Sequence, residues 1–315
     1  MKVKTVPEGV LENWGLPPES AQYVAHRENT VWKVKGPDRD FALRRHRPGY
    51  RSPAELRSEL VWVDALAKAG IPVAQPVATL DGEILCARED ACFSLLEWID
   101  AEAIGHLGQI RNDLDPRSLA HKIGSLIAEL HHSTDEWTLP GDFTRPVWKS
   151  EELLGLEPIW GRFWENPDLT RDDSDLLIRA RDKARTDLFA RHEDLDQGLI
   201  HADLLTENIL SRNGQLWFID FDDSAFGYRT FDIATFFLRL CTRPDFAVLQ
   251  DAVLAGYASH RRIPQDELDL FLLIRALTYP GWIIARRHEP GGIERSRRNT
   301  RLALKFAYNY LGDLP

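Results

Sequence analysis

One stretch near the middle of the chain, residues 200–232, constrains the fold more than any other. It carries Asp203, then Asn208 five positions later, and then Asp220 at the end of a strand-like run. The dipeptide Asn213-Gly214 separates two β-prone runs, and Asn-Gly between such runs is the strongest short signal for a β-hairpin. The sequence therefore predicts a loop that carries Asp203 and Asn208, then a hairpin, and then a loop that carries Asp220.

This order of side chains fits the needs of phosphoryl transfer, in which catalysis is mainly positioning and charge neutralisation by Mg²⁺. Asp203 is suited to accept the proton of an attacking hydroxyl, and Asn208 and Asp220 offer oxygens to Mg²⁺. Mg²⁺ prefers a few carboxylates together with phosphate oxygens over an all-protein cage. The pattern D-x-x-x-x-N matches the catalytic loop of kinases, and Asp220-Phe221 stands where the kinase D-F-G motif begins.

Composition excludes several classes of function. With 315 residues, the chain can form one large or two modest domains with a sizeable core. Its net charge of −10 disfavours a nucleic acid as the main partner, because nucleic acids require a basic footprint. The three cysteines, Cys86, Cys92 and Cys241, lack metal-binding spacing and predict a reducing, cytoplasmic setting.

Neither a signal peptide nor a membrane partner is predicted. Residues 1–15 contain no apolar core of the signal-peptide type. The longest apolar run, residues 270–284, is interrupted by Arg275 and Pro280 and is shorter than the roughly 18 residues that a membrane span needs.

The first 95 residues combine short strand-like runs with one helix. Residues 21–27, 30–35 and 41–44 predict three short antiparallel strands. The run Ser52-Pro53-Ala54-Glu55 predicts a capping box at the start of a helix. Glu59 falls within the apolar stripe of that helix, and a carboxylate that faces a core needs a partner, for which Arg44 is the nearest candidate.

The rest of the chain is predicted to be mainly helical. Helical patterns lie at residues 119–132, 174–191, 232–243, 245–260, 265–287 and 294–311, and Pro280 should kink or break the fifth of these. His131-His132 at the end of the first pattern predicts cations at a helix C-terminus. We expect an α+β fold with a β-rich lobe containing one helix at residues 1–95 and a larger, mainly helical lobe at residues 96–315. The irregular segment 138–164 is a candidate lid or substrate element.

Several short runs in residues 200–234 carry a resemblance to a known family. They are His201-Ala202-Asp203, Asn208-Ile209-Leu210, Ile219-Asp220-Phe221-Asp222 and Phe231-Asp232-Ile233-Ala234. Together they resemble the aminoglycoside phosphotransferase / choline kinase superfamily, and they are closest to its subgroup of stress response kinase A and homoserine kinases. The resemblance covers most of the chain and implies a bilobal, protein-kinase-like fold.

For the central stretch, the resemblance implies that Asp203 is the catalytic base. His201, grouped with it, would hold the catalytic loop by hydrogen bonds, and Asn208 and Asp220 would be Mg²⁺ ligands. Asp232 would brace the catalytic loop, or it would serve as a simple helix N-cap. The implied cofactors are ATP and Mg²⁺.

For the first 100 residues, the resemblance implies a nucleotide site. Arg44 stands where the family usually has the Lys that contacts the α/β-phosphates, with Arg45 as a second candidate if the register is one residue off, and Glu59 would be its partner. Asn29 belongs to a loop that would cover the nucleotide in place of a glycine-rich loop, and Leu95, Glu97 and Trp98 would offer backbone groups to adenine. Arginine can still pair with phosphate, through the two parallel hydrogen bonds of its planar guanidinium. With Arg44 in place of Lys, the site is either a working variant or one with weakened ATP binding.

The segment after the predicted metal motif bears on the substrate. About ten residues separate Phe221 from Asp232, where regulated protein kinases carry a long activation segment that ends in A-P-E. This favours transfer of the γ-phosphoryl group of ATP to an alcohol hydroxyl of a small molecule, homoserine-like or another metabolite. A homoserine-like acceptor would need an arginine for its carboxylate.

Two alternatives stand beside this hypothesis. One is a Ser/Thr protein kinase of the stress response kinase A type, which would have a protein substrate. The other is a weakly active pseudokinase that binds a partner; Arg44 supports it, and the joint presence of Asp203, Asn208 and Asp220 opposes it. The acceptor, the choice between ATP and GTP and the oligomeric state are left open by the sequence.

Overall fold

The structure of the chain is a computed structural model that describes residues 4–26, 28–88 and 91–312. The strands are β1 Ala21–His26, β2 Thr30–Lys35, β3 Asp40–Arg45, β4 Pro76–Val77, β5 Cys86–Arg88, β6 Ala91–Glu97, β7 Glu102–Ala103, β8 Gly105–His106, β9 Gln109–Ile110, β10 Gln197–Ile200, β11 Ile209–Arg212, β12 Gln215–Phe218 and β13 Ala225–Tyr228. The helices are α1 Pro53–Lys68, α2 Pro116–Glu136, α3 Ser150–Leu154, α4 Arg171–Ala190, α5 Thr230–Leu240, α6 Phe246–Tyr257, α7 Gln265–Trp282 and α8 Gly292–Leu311.

The chain divides into two compact units. Unit 1 contains the described residues up to Ile104 together with residues 132–146 and 207–224. Unit 2 contains residues 105–131, 147–206 and the described residues from 225 onward. The expected α+β class is confirmed, with an antiparallel sheet in the N-terminal part and mainly helices in the C-terminal part.

Unit 1 is built on an antiparallel sheet with the strand order β1-β2-β3-β6-β4, in which β5 also pairs with β6. Side chains of β2 alternate between buried and half-buried, which places Trp32 and Val34 in the core. Leu43 and Leu95, directly paired across β3 and β6, are fully buried in the same core. The sheet therefore presents the ends of β3 and β6 at defined positions.

Helix α1 begins at the predicted capping box. The backbone N–H of Glu55 donates to Ser52 Oγ at 3.2 Å, and the backbone N–H of Ser52 donates to Glu55 Oε2 at 2.8 Å. This reciprocal pair satisfies donors that a helix start otherwise leaves open. On the buried face of the same helix lies Glu59, which is 1% exposed.

Strands β11 and β12 form the predicted hairpin. Their register runs from Ile209 opposite Phe218 to Arg212 opposite Gln215. The turn residues Asn213 and Gly214 have φ values of 52° and 79°, as a two-residue hairpin turn with left-handed central residues requires. Strand β7 pairs with the other side of β11, so the hairpin belongs to unit 1. For this reason the observed units differ from the single predicted boundary near residue 95.

Unit 2 is mainly helical, and α7 is one of its core helices. Its fully buried residues include Leu270, Phe271, Leu273 and Ile274. Pro280 does not break α7, since the helix ends two residues later at Trp282. The proline removes one intrahelical hydrogen bond, but only two residues of α7 follow it, so little of the helix depends on the chain beyond that bond.

The expectation that no segment reaches membrane-span length is corrected by α7. With its continuation to Arg286, this segment has 22 residues and is long and apolar enough by length and composition. However, 78% of its apolar window is buried inside the protein, which is typical of the core helix of a folded domain. By itself, length is therefore weak support for a membrane span.

Candidate active site

The loop after β10 carries His201 and Asp203, and it is held by a buried carboxylate. Asp232, on the first turn of α5, accepts hydrogen bonds from the backbone N–H groups of His201 at 2.9 Å and Ala202 at 2.6 Å. Ala202 has a φ of 70°, a left-handed conformation that a residue other than glycine adopts only when its surroundings impose it. Asp232 therefore braces the loop, and it is not an N-cap, because Arg229 holds that position.

Asp203 presents its carboxylate at the end of this braced loop. Its side chain is 26% exposed, and its Oδ1 lies 3.2 Å from Nη2 of Arg275 on α7. The two side chains therefore form an ion pair. His201 is fully buried, and its Nδ1 accepts from the backbone N–H of Asp203 at 3.3 Å. In this structure His201 therefore holds the loop, whereas Asp203 is the group that a reactant can reach.

In unit 1, Asn208 and Asp220 lie side by side at the open end of the β11–β12 hairpin. The backbone N–H of Ile219 donates to the carbonyl of Asn208 at 3.0 Å. The side chain of Asp220 is half exposed, and its φ of 69° is again left-handed. One amide oxygen and one accessible carboxylate fit Mg²⁺, because this ion leaves most of its coordination to water and phosphate.

Arg44 and Glu59 form the ion pair that was predicted from the position of Glu59 in the apolar stripe of α1. Arg44 Nη1 donates to Glu59 Oε1 at 3.0 Å, and both side chains are buried. Nη2 of Arg44 also bonds Asp222 and lies 3.8 Å from Asp220 Oδ1. Burial acts to lower the pKa of Arg44, but the carboxylates of Asp222 and Glu59 outweigh it and raise that pKa above its ordinary value.

The pKa values of the two carboxylates on Arg44 shift in opposite directions. Burial raises the pKa of Glu59 to about 7, although Arg44 opposes this effect. Burial also acts to raise the pKa of Asp222, but the charges of Arg44 and His46 and the hydrogen bond from Asn29 together outweigh it and lower that pKa. Asp222 also accepts a hydrogen bond from the side-chain amide of Asn29. Asn29, Arg44, Glu59 and Asp220 are thus brought together in unit 1, and His201 and Asp203 in unit 2.

Comparison with known proteins identifies the family. A family model described as "Phosphotransferase enzyme family" (APH) matches residues 21–266. The chain belongs to this family. Its sequence is 26% identical over 262 residues to a homoserine kinase of Chelativorans sp. (strain BNC1), which covers 75% of this chain and 74% of that protein. The resemblance to the aminoglycoside phosphotransferase / choline kinase superfamily is therefore confirmed, and the chain is a phosphotransferase.

Two solved structures share the fold of this phosphotransferase. A microcompartment-associated aminopropanol kinase has a TM-score of 0.82 and 26% identity, covering 96% of this chain and 95% of that chain. The amicoumacin kinase hAmiN, in complex with AMP-PNP, Ca²⁺ and Ami, has a TM-score of 0.76 and 18% identity, covering 94% and 91%. The expected protein-kinase-like fold is thereby confirmed.

The predicted adenine segment of the phosphotransferase lies at the end of β6. Leu95 points into the core of unit 1 and is fully buried. The backbone N–H of Glu97 donates to the backbone carbonyl of Gln75 at 2.8 Å, and the backbone N–H of Trp98 donates to the backbone carbonyl of Asp40 at 3.0 Å. Contact of this segment with adenine stays a prediction, and it would not use these two N–H groups, because they are engaged within unit 1.

Sequence reasoning missed Arg145, which holds the backbone of the loop after Asp220. Its guanidinium donates to the carbonyls of Ser224 at 2.8 Å, Asp222 at 2.7 Å and Glu55 at 3.0 Å. These bonds fix the backbone after Asp220 and connect it to the start of α1. No local signal marks this role, because Arg145 lies in an irregular segment and its partners are far away in sequence. Part of the candidate lid segment 138–164 is therefore structural.

His131 corrects the sequence interpretation of His131-His132. Helix α2 continues to Glu136, so neither residue lies at its C-terminus. His131 is fully buried, with Nε2 at 3.1 Å from Asp232 Oδ2 and Nδ1 at 2.9 Å from Tyr257 Oη. Burial lowers its pKa below the ordinary value, against the opposing effect of Asp232. A neutral imidazole that donates through Nε2 satisfies both partners.

Because the folded protein holds His131 neutral, its stability should fall at low pH. The pKa is lowered in the folded state, so the unfolded chain binds this proton first. The stability contribution is fully present above roughly pH 6.5 and is lost as the pH falls toward the lowered value, by at most about 1.4 kcal/mol per pH unit. Urea unfolding of the parent and of His131→Gln between about pH 7 and about pH 5 measures the difference in slope. Equal slopes would contradict the buried neutral state.

Proposed function

We propose that this phosphotransferase transfers the γ-phosphoryl group of ATP, with Mg²⁺, to an alcohol hydroxyl of a small molecule. The observation that carries the proposal is the Asp203 carboxylate, held on a braced loop and paired with Arg275. In the reaction Asp203 accepts the hydroxyl proton while the new O–P bond forms. The bond between the γ-phosphorus and its bridging oxygen breaks, and ADP leaves.

Unit 1 supplies the groups for the nucleotide in this proposal. Asn208 and Asp220 would hold Mg²⁺, which neutralises charge on the phosphates. Arg44 keeps a permanent positive charge where the family usually has Lys, and Glu59 and Asp222 orient its planar fork. This assembled set supports a working variant over a pseudokinase, because a binding module has no need of it.

The short segment after Asp220 favours small acceptors over protein substrates. Only the turn at residues 221–224 precedes β13, which pairs with β10, and α5 begins at Thr230. This arrangement leaves no room for a long activation segment, so the site needs no phosphorylation to assemble. Relatives named homoserine kinase and aminopropanol kinase act on small hydroxyl compounds, and we propose an acceptor of that size.

An ADP-release assay tests the proposal. The protein is incubated with ATP or GTP, MgCl₂ and a panel of small alcohols, with a Ser/Thr-containing peptide as a separate arm. We expect ADP release that depends on one of the alcohols and is abolished by EDTA, and mass spectrometry should show the phosphorylated alcohol. Phosphorylation of the peptide alone would establish the protein-kinase alternative. Nucleotide binding without any phosphorylated product would establish the pseudokinase.

A further inference from the structure

A cluster of arginines in unit 2 surrounds Tyr279 of α7. The Cζ atoms of Arg239 on α5 and Arg275 on α7 each lie 4.6 Å from the centroid of the Tyr279 ring. The two guanidinium groups are therefore separated by no more than twice that distance. Helix α8 packs against α7, and its Arg298 lies close enough to Arg239 and Arg295 for their charges to lower its pKa. We call Arg239, Arg275 and Arg298 with Tyr279 the arginine cluster.

The arginine cluster carries more positive charge than its acidic neighbours neutralise. Arg275 pairs with Asp203, whereas Arg239 and Arg298 form no ion pair with a carboxylate within residues 4–26, 28–88 and 91–312. The Nε atoms of Arg239 and Arg275 are buried and have no hydrogen-bond partner there. A buried donor without a partner costs roughly 1–3 kcal/mol, so an acceptor that enters the cluster would recover that loss.

The positive charges of the arginine cluster repel one another. Burial lowers the pKa of Arg298, and the charges of Arg239 and Arg295 lower it further. Several cations held close together without counter-charges attract anions, and planar guanidinium groups bind carboxylate and phosphate through paired hydrogen bonds.

The surroundings of Arg275 argue against a cationic acceptor. Its guanidinium lies 5.9 Å from the ring centroid of Trp160 and 5.3 Å from that of Phe231, besides its contact with Tyr279. Aromatic faces grouped in this way are a binding site for an ammonium group. Here the guanidinium of the protein itself already fills that place.

We propose that the arginine cluster binds an anionic group, carboxylate or phosphate, of the acceptor whose hydroxyl is phosphorylated. Nη2 of Arg275 bonds both Asp203 Oδ1 and Tyr279 Oη, each at 3.2 Å, so the cluster begins one side chain away from the proposed base. The acceptor would place its hydroxyl at Asp203 and its anionic end at Arg239 and Arg298. This inference rests on the proposed function and narrows the substrate class to hydroxy acids and phosphorylated alcohols.

Direct binding tests the cluster without requiring turnover. Calorimetry with a non-hydrolysable ATP analogue and MgCl₂ compares glycerate and glycerol 3-phosphate with neutral glycerol. We expect at least one anionic probe to bind at least about tenfold more tightly than its neutral counterpart. The pair of glycerate and glycerol 3-phosphate shows which anion is preferred. Binding of glycerol as tight as that of every anionic probe would overturn the proposal.

Variants locate the effect. The double variant Arg239→Gln, Arg298→Gln should weaken binding of the preferred anionic probe at least about tenfold and raise its KM, with kcat little changed. The control is Arg297→Gln, since Arg297 lies next to Arg298 in sequence but is 65% exposed and faces Asp168 at 3.5 Å. Unchanged affinity in the double variant, or an equal loss in the control, would overturn the proposal. Thermal unfolding without ligand checks that each variant is folded.

The outcomes separate this inference from the proposed function. Anion binding that depends on the cluster, in a protein that transfers no phosphoryl group, would refute the function and retain the anion site. Turnover of 1-aminopropan-2-ol in preference to every anionic alcohol would retain the function and refute the anion site.

Discussion

Replacing Asp203 with asparagine should lower kcat by about 10²–10⁴-fold, the range that a positioned general base contributes. Asparagine keeps the shape of the side chain but cannot accept the hydroxyl proton. The variant should still bind the nucleotide, because the proposed nucleotide groups, including Arg44, lie in unit 1. Initial rates of acceptor-dependent ADP release give the effect on kcat, and a thermal-shift titration with the ATP analogue gives the effect on binding.

The control for this experiment is Asp194→Asn, an exposed carboxylate in the segment before β10. Its rate should equal that of the parent. If Asp203→Asn also retained the parental rate, Asp203 would not be the base. Loss of nucleotide binding together with the rate would instead indicate a structural defect.

Replacing Asp232 with alanine should destabilise the protein by about 3–5 kcal/mol. The change leaves the backbone N–H groups of His201 and Ala202 and the imidazole of His131 without their shared acceptor, and all of them are buried. Such a loss is a large part of the roughly 5–15 kcal/mol that keeps a domain folded. Urea unfolding at neutral pH measures it.

Asp232→Asn is the graded comparison. The asparagine keeps one acceptor oxygen, but its amide N–H₂ would face one of the donors that Asp232 accepts from. The loss of stability should therefore be smaller than for alanine but still measurable. Because the left-handed Ala202 depends on the brace, kcat should also fall in whichever variant stays folded. An alanine variant with parental stability and rate would show that Asp232 does not hold the catalytic loop.

Local features of this phosphotransferase follow from its sequence. The Asn213-Gly214 turn and the Ser52-to-Glu55 capping box were predictable, because their energetics depend only on residues a few positions apart. The Arg44–Glu59 pair was predictable for another reason. A carboxylate in the apolar stripe of a helix must find a cation, and few were available nearby.

Contacts between distant residues were not predictable in this way. Asp232 reaches His131 across 101 positions, and Arg145 reaches the carbonyls after Asp220 across nearly 80. The short range of local patterns also led to the wrong placement of His131 at a helix end, since nothing in the run shows that α2 continues to Glu136. The hairpin joined unit 1 because its pairing partner is β7, and strand pairing over such a separation leaves no mark in either segment.

The amino-acid sequence by itself determined the family and the hairpin and predicts the reactive groups, because each depends on residue types at short, fixed spacing. Only the tertiary structure decided which side chains brace those groups and what surrounds Asp203. Arg239, Arg275 and Arg298 come from three helices, and each alone resembles an ordinary helical arginine. They form a cluster only because the helices pack together, and their electrostatic interaction depends on distance in space and not on position along the chain.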